Sequence, residues 1–389
     1  MSAAAPSVLF YVQHLLGIGH LKRAATLARA LSRAGLDVTF VTGGHEVPGL
    51  EIGGARLVQL PPVRAVDVYF KVLVDASDRV IDDAFRDRRR ALLMDAYARA
   101  RPDVVITELF PFGRRQLRFE LIPMLEAARA QTPRPRIVCS VRDILVEPDK
   151  PERVEEMLER VEAYYDLVLV HGDPALIPFE ETFPLAPRIA DRLRYTGYVV
   201  EERAQAPAGR NRARTEVVVS AGGGAVSETL FRAAIAARPM TRLADSTWRV
   251  LCGHALPDAA FRALAREAPA GVVVERARPD FIELLRGAAL SISQGGYNTV
   301  MEVLATGTRA VIVPYAGGLE TEQTLRGRLL ADRGALALVD EKRLSPQAIA
   351  EAAEAALARP PPVPQGLDVG GAAATAAIVA RLARGEAPA

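Results

Sequence analysis

The stretch from Ser293 to Pro314, SQGGYNTVMEVLATGTRAVIVP, places a glycine pair before a helix-like segment that carries one acid. Gly295 and Gly296 leave unpaired backbone N–H groups at the helix start, and these donors together with the helix dipole favour an anion. Glu302 is badly placed to bind an anion, but it could accept hydrogen bonds from a diol such as a ribose. The pattern predicts a site for a diphosphate that carries such a diol.

A second glycine loop, SAGGGA at Ser220–Ala225, lies in the same half of the chain. Gly222, Gly223 and Gly224 follow a strand-like run and precede a helix-like run, so they predict a second anion site. Two such sites in one domain could hold one diphosphate between them. A plainer alternative stays open, in which the glycine turns simply end parallel strands.

The first glycine turn, LLGIGH at Leu15–His20, does not fit a dinucleotide site. A dinucleotide-binding fingerprint needs a third glycine three residues after the second, and an acid at the end of the next strand. In this chain Lys22 stands three residues after Gly19, where the third glycine would be. The next strand ends in Gly43 and Gly44 without an acid, so we expect no nicotinamide or flavin cofactor. No Walker A sequence occurs, and the scattered histidines lack metal-ligand spacing, so we expect no metal.

Composition narrows the class of protein. The chain has 389 residues, 50% of them hydrophobic, with a formal net charge of +2. This length predicts two domains, and the lack of a strongly basic half argues against a nucleic-acid partner. Cys139 and Cys252 lie far apart in the chain, which is typical of a protein with reduced thiols. No apolar run has the length of a membrane span, and Met1–Gln13 lacks the basic region of a signal peptide. We therefore expect a reduced, cytoplasmic protein.

Strand-like and helix-like runs alternate through both halves of the sequence. The amphipathic run Leu21–Gly35 predicts a helix that ends at a glycine, and Gly371–Gly385 predicts a last helix. Continuous apolar runs, which are typical of buried parallel strands, occur at Ser7–His14, Asp37–Gly44, Asp103–Leu109, Arg136–Asp143, Leu167–Asp173, the start of Glu216–Ala237, Trp248–Gly253, Gly271–Arg276, Ala289–Gly296 and Arg309–Tyr315.

This alternation predicts an α/β fold with two doubly wound parallel sheets. We expect a first domain over residues 1–200, a linker over 201–215, a second domain over 216–366 and a terminal segment over 367–389. Because ligands of such sheets bind at the carboxyl ends of the strands, we expect the site in a cleft between the domains.

From Glu216 to about Val339 the chain resembles the nucleotide-sugar domain of the GT-B glycosyltransferases. It is most similar to the peptidoglycan lipid-linked N-acetylglucosaminyltransferases of family 28, through SQGGYNTVMEVLATGTRAVIVPYAGGLETEQTLRGRLLADRGAL. GIGHLKRAATLARAL resembles the glycine loop and His of that family's acceptor domain. ELFPFGRRQLRFELIP and SVRDIL resemble a branch described only as predicted glycosyltransferases. The resemblance implies two Rossmann-like domains facing across a cleft, an N-terminal acceptor domain and a C-terminal helix that packs back onto it.

The resemblance also implies roles for individual residues. Glu302 would hold the ribose hydroxyls of a nucleotide sugar, while His20 would lie at the cleft close to the transferred sugar. Glu322 and Gln323 would contact sugar hydroxyls. The diphosphate would face Gly295, Gly296 and the backbone near Asn298 on one side, and Gly222, Gly223 and Gly224 on the other.

The implied reaction is metal-independent and inverting. The donor would be a nucleoside-diphosphate sugar, with uracil as the base and UDP-GlcNAc as one example, and the acceptor would be a hydroxyl. His20 is the candidate general base because its unperturbed pKa suits the task. An alternative is that His20 only contacts the donor or caps its helix. Asp143 and Glu108, at the carboxyl ends of predicted strands, are the other candidates; His171 and His14 also lie at strand ends.

Two other functions stay open. A non-hydrolysing UDP-sugar 2-epimerase shares the architecture, but it typically carries Arg-Pro-Glu after Thr-Glu, where Gln323 and Thr324 stand in this chain. A non-catalytic nucleotide-sugar-binding protein would keep the donor motifs and have an inactive acceptor loop. Two loops also depart from the family pattern: AGGGA lacks the frequent Ser, and LLGIGH has fewer glycines.

The acceptor is undefined and could be a glycan, a lipid-linked molecule or a small molecule. Arg86–Arg90 and Gly113–Arg115 could attract an anionic lipid or a phosphorylated acceptor, and Leu109–Gly113 offers apolar residues for peripheral contact with the inner face of a membrane. Because acids interleave Arg86–Arg90, that run can equally be a solvated helix face.

Overall fold

The computed structural model describes residues 5–67, 70–146, 150–201, 214–221, 228–253, 256–315, 322–361 and 368–387. The chain divides into two compact units, Met1–Val199 with Asp368–Ala389, and Val200–Leu367. Of the predicted linker, only residues 201, 214 and 215 belong to the described part of the chain.

The first unit is built on one parallel sheet flanked by helices. Its strands run in the order β3-β2-β1-β6-β7-β8-β9, and β4 and β5 form a small antiparallel pair. The strands are β1 (Ser7–Val12), β2 (Asp37–Thr42), β3 (Arg56–Gln59), β4 (Arg64–Ala65), β5 (Leu73–Val74), β6 (Val104–Glu108), β7 (Arg136–Arg142), β8 (Leu167–His171) and β9 (Leu193–Tyr195). The helices are α1 (Gly19–Arg33), α2 (Asp83–Ala100), α3 (Arg118–Ala130), α4 (Pro151–Tyr164) and, from the end of the chain, α11 (Gly371–Ala383).

Both faces of this sheet are buried, which explains the continuous apolar runs of its strands. In β1, Phe10 packs in a cluster with residues of α1 and α11, whereas Leu9 and Tyr11 pack in a cluster with residues of α2, α3 and α4. The C-terminal helix thus belongs to the core of the first unit. Where it begins, Tyr198 N–H donates to the Asp368 carbonyl at 2.6 Å and Gly371 N–H donates to the Tyr198 carbonyl at 3.1 Å.

The second unit repeats the arrangement with six parallel strands in the order β12-β11-β10-β13-β14-β15. The strands are β10 (Glu216–Ser220), β11 (Trp248–Cys252), β12 (Val272–Arg276), β13 (Ala288–Ser293), β14 (Ala310–Ile312) and β15 (Ala337–Leu338). The helices are α5 (Glu228–Ala237), α6 (Asp258–Glu267), α7 (Phe281–Gly287), α8 (Tyr297–Ala305), α9 (Glu322–Asp332) and α10 (Pro346–Ala358).

The predicted α/β class with two doubly wound parallel sheets is confirmed. In both sheets the strand order reverses at the first strand, since β1 lies between β2 and β6, and β10 lies between β11 and β13. Ligands of such sheets bind outside the carboxyl ends of the strands at this reversal. The loops after β1 and β6, and those after β10 and β13, are therefore the positions to search for a site.

The expectation that Arg86–Arg90 forms one solvated face is wrong for Arg89. The Arg89 guanidinium is fully buried and donates to both carboxylate oxygens of Glu120, at 2.7 and 2.8 Å. It also donates to the Gln13 side-chain oxygen at 2.8 Å, and Tyr11 donates its hydroxyl to Glu120 at 2.5 Å. Arg89 turns inward because these partners satisfy it without water.

Replacing Glu120 with Ala should destabilise the protein by about 3–5 kcal/mol, because it leaves the Arg89 charge buried without its partner. Urea unfolding measures the loss. Asp87→Ala on α2 is the control; it removes only the exposed Asp87–Arg90 ion pair, so its midpoint should stay close to that of the wild type. Equal effects of the two substitutions would contradict the structural role of the buried pair.

Candidate functional site

The second unit presents a helix N-terminus where its strand order reverses. Strand β13 ends at Ser293, and α8 begins at Tyr297 with Gly296 as its N-cap residue. No side chain caps this end and the first turn holds no acid. Because Val300 N–H makes the bond back to the Gly296 carbonyl, the N–H groups of residues 297–299 lack partners within the helix. This end of α8 is suited to an anion.

The two glycines at this helix start have different surroundings. A Cβ on Gly295 would lie 3.2 Å from Ile312 Cγ2 and 3.3 Å from Gln323 Cβ, whereas a Cβ on Gly296 would have no described atom within 4 Å. Gly295 therefore lets α9 approach the end of β13 closely. Among the described residues, nothing occupies the space beside Gly296 at the start of α8.

Buried serine hydroxyls lie at the same edge of the sheet, and the sequence analysis missed them. Ser220 ends β10 and stands in register with Ser293 of β13. Both hydroxyls are buried, and within the described part of the chain neither has a hydrogen-bond partner. Buried hydroxyls usually have partners, so this pair is consistent with a ligand that accepts hydrogen bonds. The signal was a serine before each glycine loop, SAGGG and SQGG.

Glu302 lies half-buried in α8, and the C-terminus of that helix is held by the chain segment that precedes β10. The Arg214 guanidinium donates to the carbonyls of Thr306 at 2.9 Å and Gly307 at 2.5 Å. A cation at this end satisfies otherwise unpaired carbonyls and suits the helix dipole. Asn298, in the first turn of α8, is also half-buried.

The structure places Glu322 and Gln323 differently from each other. The Glu322 side chain is only 3% exposed and pairs with Arg326 Nη1 at 2.8 Å. Arg326 in turn lies over the Tyr297 ring, 5.1 Å from its centre. Gln323 is half-buried, and its side-chain oxygen accepts the Tyr315 N–H at 3.1 Å. Glu322 thus holds Arg326 where α9 packs against the start of α8, while Gln323 lies nearer to the surface.

Gly222, Gly223 and Gly224 of the predicted second anion site lie outside the described residues.

In the first unit, His20 and Glu108 meet where β1 and β6 end. His20 Nδ1 lies 3.0 Å from Glu108 Oε1, and the His20 side chain is 12% exposed. Arg23, one turn along α1, donates to the same carboxylate oxygen, and Ser140 Oγ donates to Oε2 at 2.6 Å. No described residue bonds to His20 Nε2. The structure thus brings together two of the three predicted catalytic candidates.

A chain of buried polar groups continues beyond Glu108. Ser140 Oγ lies 2.8 Å from His171 Nε2, and His171 Nδ1 lies 2.9 Å from Thr196 Oγ1. His171 is fully buried, so it does not line an open surface. Asp143, the third candidate, is also fully buried; its Oδ1 accepts the N–H of the next residue, Ile144, at 3.0 Å.

Burial and nearby charges shift the pKa values of this cluster. Burial is the main cause that lowers the pKa of His20 to about 3, against the hydrogen bond with Glu108, and Arg114, Arg142 and Arg23 lower it further. Burial and Arg23 lower the pKa of His171 to about 3. For Glu108, burial raises the pKa, but Arg23 together with hydrogen bonds from His20 and Ser140 outweighs it and brings the pKa to about 2.

The surface expected to touch a membrane is not present as predicted. Leu109, Phe110 and Phe112 are buried, and the Phe112 ring packs edge-on against Phe179 and Phe183 with ring centres 5.4 and 5.0 Å away. These three side chains belong to the core because packing against other apolar groups removes their surface from water.

None of the described helices combines the length and apolar composition needed to cross a bilayer. Among the described residues, no group of three or more His, Cys, Asp or Glu side chains could hold a metal ion.

Comparison with known proteins identifies a family model that matches most of the second unit. Residues 217–363 match the Glycosyltransferase family 28 C-terminal domain. The second unit is therefore similar to that domain over nearly its whole length. The chain is 33% identical, over 153 residues, to the UDP-N-acetylglucosamine--N-acetylmuramyl-(pentapeptide) pyrophosphoryl-undecaprenol N-acetylglucosamine transferase of Marinobacter nauticus. That match spans 39% of this chain and 41% of the relative, less than half of its length.

Solved structures extend the likeness to the whole fold. The chain superposes on MurG of Acinetobacter baumannii with a TM-score of 0.61 and 16% identity, covering 96% of this chain and 99% of MurG. It superposes on CalG4, the calicheamicin glycosyltransferase, with a TM-score of 0.60 and 18% identity, covering 97% and 94%. The predicted GT-B fold is confirmed, and its second unit is similar to the family 28 C-terminal domain.

The two glycines at the start of α8 should respond differently to an added methyl group. Gly295→Ala should lower the free energy of unfolding by about 1–3 kcal/mol, since Ile312 and Gln323 must move. Gly296→Ala should change it by less than about 0.5 kcal/mol, because the site is open and its backbone, with φ −60° and ψ 139°, suits alanine. Thermal unfolding compares the two. A Gly296 variant that is the less stable one would contradict the described geometry.

Stability should fall as the pH is lowered from 6.5 towards 5. His14, His20 and His171 are held neutral, with pKa values of about 4, 3 and 3, whereas histidine in the unfolded chain titrates near 6.5. Below that pH the unfolded chain binds more protons, so each histidine costs about 1–2 kcal/mol at pH 5. Urea unfolding across this range measures the loss. His171→Gln removes one titrating group, so its slope should be shallower; a flat wild-type profile would refute the argument.

Proposed function

We propose that this protein is a glycosyltransferase that moves a sugar from a nucleoside-diphosphate donor to a hydroxyl acceptor. The observation that carries the proposal is the uncapped start of α8, where Gly296 leaves space and Glu302 follows on the same helix. The family 28 domain covers these residues, which supports a nucleotide sugar as the ligand.

The donor is assigned to the second unit. The N–H groups of residues 297–299 and the hydroxyls of Ser220 and Ser293 donate to the diphosphate, and the Gly222–Gly224 loop contributes further backbone donors. Glu302 accepts from the ribose hydroxyls. Gln323 contacts the sugar, whereas Glu322 acts by holding Arg326 against Tyr297 at the start of α8. The name of the Marinobacter nauticus relative supports UDP-N-acetylglucosamine as the donor to test first.

The base is assigned to His20 of the first unit from its geometry. The unperturbed pKa expected from the sequence does not hold, because burial lowers the pKa of His20 to about 3. His20 Nδ1 lies 3.0 Å from Glu108 Oε1. An ionised carboxylate only accepts, so the hydrogen is assigned to Nδ1, and the lone pair on Nε2 can take the proton of the acceptor hydroxyl. Glu108 then stabilises the imidazolium, as the carboxylate of a catalytic triad does. Glu108 and Asp143 are less suited to be the base because both carboxylates are buried.

The reaction is a single displacement. The acceptor oxygen forms a bond to the anomeric carbon while the bond from that carbon to the diphosphate oxygen breaks, and attack from the opposite face inverts the configuration. The electron pair leaves with the diphosphate, whose charge is stabilised by the donors at α8, so the proposed route does not require a metal. MurG and CalG4 match the fold equally well, so the acceptor is assigned only as a hydroxyl.

Glu302→Ala should weaken binding of UDP by about tenfold to a hundredfold, because hydrogen bonds between a carboxylate and the ribose are each worth about 1.5–3 kcal/mol. Isothermal titration calorimetry with UDP, TDP, GDP and UDP-N-acetylglucosamine measures the affinities. UDP should bind best among the nucleoside diphosphates, and Gly296→Ala should weaken it although that variant folds normally.

Glu351→Ala is the matched control, since Glu351 is an exposed carboxylate of the second unit on α10, and it should bind UDP like the wild type. Absence of binding by any nucleoside diphosphate to the folded protein would refute the donor site. Binding without release of UDP in the presence of any acceptor would instead identify a nucleotide-sugar-binding protein.

A further inference from the structure

We propose that His171 is a positioning residue for the His20–Glu108 pair, acting through Ser140 and held in place by Thr196. The proposal rests on the proposed function, in which His20 is the base. His171 does not touch substrate in this scheme. It controls which atom of Glu108 and which nitrogen of His20 face each other.

The four groups form one continuous line at the carboxyl ends of three neighbouring strands. Glu108 ends β6, Ser140 stands opposite it in β7, and His171 ends β8. The steps along the line are 2.6 Å from Ser140 to Glu108, 2.8 Å from His171 to Ser140 and 2.9 Å from Thr196 to His171. All four side chains are buried, so water does not substitute for a missing member.

The chemistry of the groups sets the direction of every hydrogen bond. An ionised carboxylate only accepts, so the single hydrogen of the Ser140 hydroxyl goes to Glu108. The Ser140 oxygen must then accept from His171, which requires a hydrogen on Nε2. A neutral imidazole with a hydrogen on Nε2 has a bare Nδ1, which accepts from the Thr196 hydroxyl. Every donor in the line points towards Glu108.

The charges around His171 agree with this neutral form. Within the described part of the chain, Arg23 and Glu108 are the charged groups that shift the pKa of His171, while Ser140 and Thr196, which contact its ring nitrogens, are uncharged. Burial lowers its pKa to about 3, so it is uncharged at neutral pH. A protonated His171 would have no acceptor nitrogen for Thr196.

The orientation of Glu108 determines which nitrogen of His20 carries the hydrogen. With Oε2 tied to Ser140, Oε1 is left to face His20 Nδ1 at 3.0 Å. Arg23 Nη2 also lies 3.3 Å from Nδ1, but Oε1 is the nearer atom, and a bare Nδ1 would oppose this oxygen with its lone pair. We therefore place the hydrogen on Nδ1 and the lone pair on Nε2. That is the tautomer that a base at Nε2 needs. Arg23, Glu108, Arg114 and Arg142 are the charged groups that act on His20.

The far end of the line is fixed to the segment through which the chain leaves the first unit. Thr196 Oγ1 lies 2.9 Å from His171 Nδ1 and also 2.9 Å from the Gly197 carbonyl. The hydroxyl has one hydrogen, and because His171 Nδ1 is bare in this arrangement, that hydrogen is shared between Nδ1 and the Gly197 carbonyl. The backbone beyond it is paired with the returning chain, Tyr198 with Asp368 and Gly371. The orientation of His171 is therefore fixed where the chain leaves the first unit beside the returning C-terminal segment.

The test compares His171→Leu with His171→Gln. Leucine fills space but neither donates nor accepts. Glutamine can donate from its amide nitrogen to Ser140 and accept from Thr196 at its amide oxygen, so it reproduces both contacts. The first readout is nitrogen-15 NMR of the His20 imidazole, which reports its tautomer and pKa without any substrate. The second is release of UDP from UDP-N-acetylglucosamine, analysed as kcat and KM.

In the wild type, His20 should be in the Nδ1–H tautomer. The leucine variant should show a mixture of tautomers and a roughly tenfold to hundredfold lower kcat, with an unchanged KM for the donor. The glutamine variant should restore the tautomer and most of kcat. A leucine variant that is less stable but keeps the wild-type tautomer and kcat would overturn the proposal and leave His171 with a packing role.

If His171→Leu does not fold, Thr196→Val removes the hydroxyl at nearly constant shape and should shift the His20 tautomer in the same direction, while Thr196→Ser should not. An unshifted tautomer in Thr196→Val would overturn the proposal. If no acceptor supports UDP release, the proposed function fails, yet the tautomer measurement still decides whether His171 positions His20.

Discussion

The polar cluster at the strand reversal of the first unit depends on one buried carboxylate. Glu108 lies where the strand order reverses, and its charge persists without water because Arg23, Ser140 and His20 all donate to it. Removing a carboxylate from water is costly unless such donors replace the solvent. Those donors come from one helix and a neighbouring strand, so the packing of α1 and β7 is what makes an ionised Glu108 possible.

The two units share a strand order but use it for different chemistry. In the second unit, backbone N–H groups at the start of α8 and the hydroxyls of Ser220 and Ser293 form a neutral site of donors. In the first unit, charged and titratable side chains gather around Glu108. A leaving diphosphate needs fixed donors, and an attacking hydroxyl needs a group that takes a proton. The proposed reaction draws one requirement from each unit.

Several residues predicted to be at the surface are buried. Leu109, Phe110 and Phe112 pack in the core of the first unit instead of facing a membrane, and Arg89 is enclosed with Glu120. The error has a single cause. A run of apolar or charged residues has the same sequence whether its side chains contact distant elements of the fold or water. Burial depends on those tertiary contacts, which the local sequence does not show.

The sequence by itself determined the alternation of strands and helices, the two parallel sheets and the glycine-rich start of α8, because these follow from local periodicity and from backbone freedom at glycine. It missed the short edge strands β3, β9 and β15, which have too few residues to show a period. Only the tertiary structure decided that His20 meets Glu108 and that Ser140 and His171 continue from it. These residues are far apart in the chain, and their contacts arise from strand register, which no local pattern records.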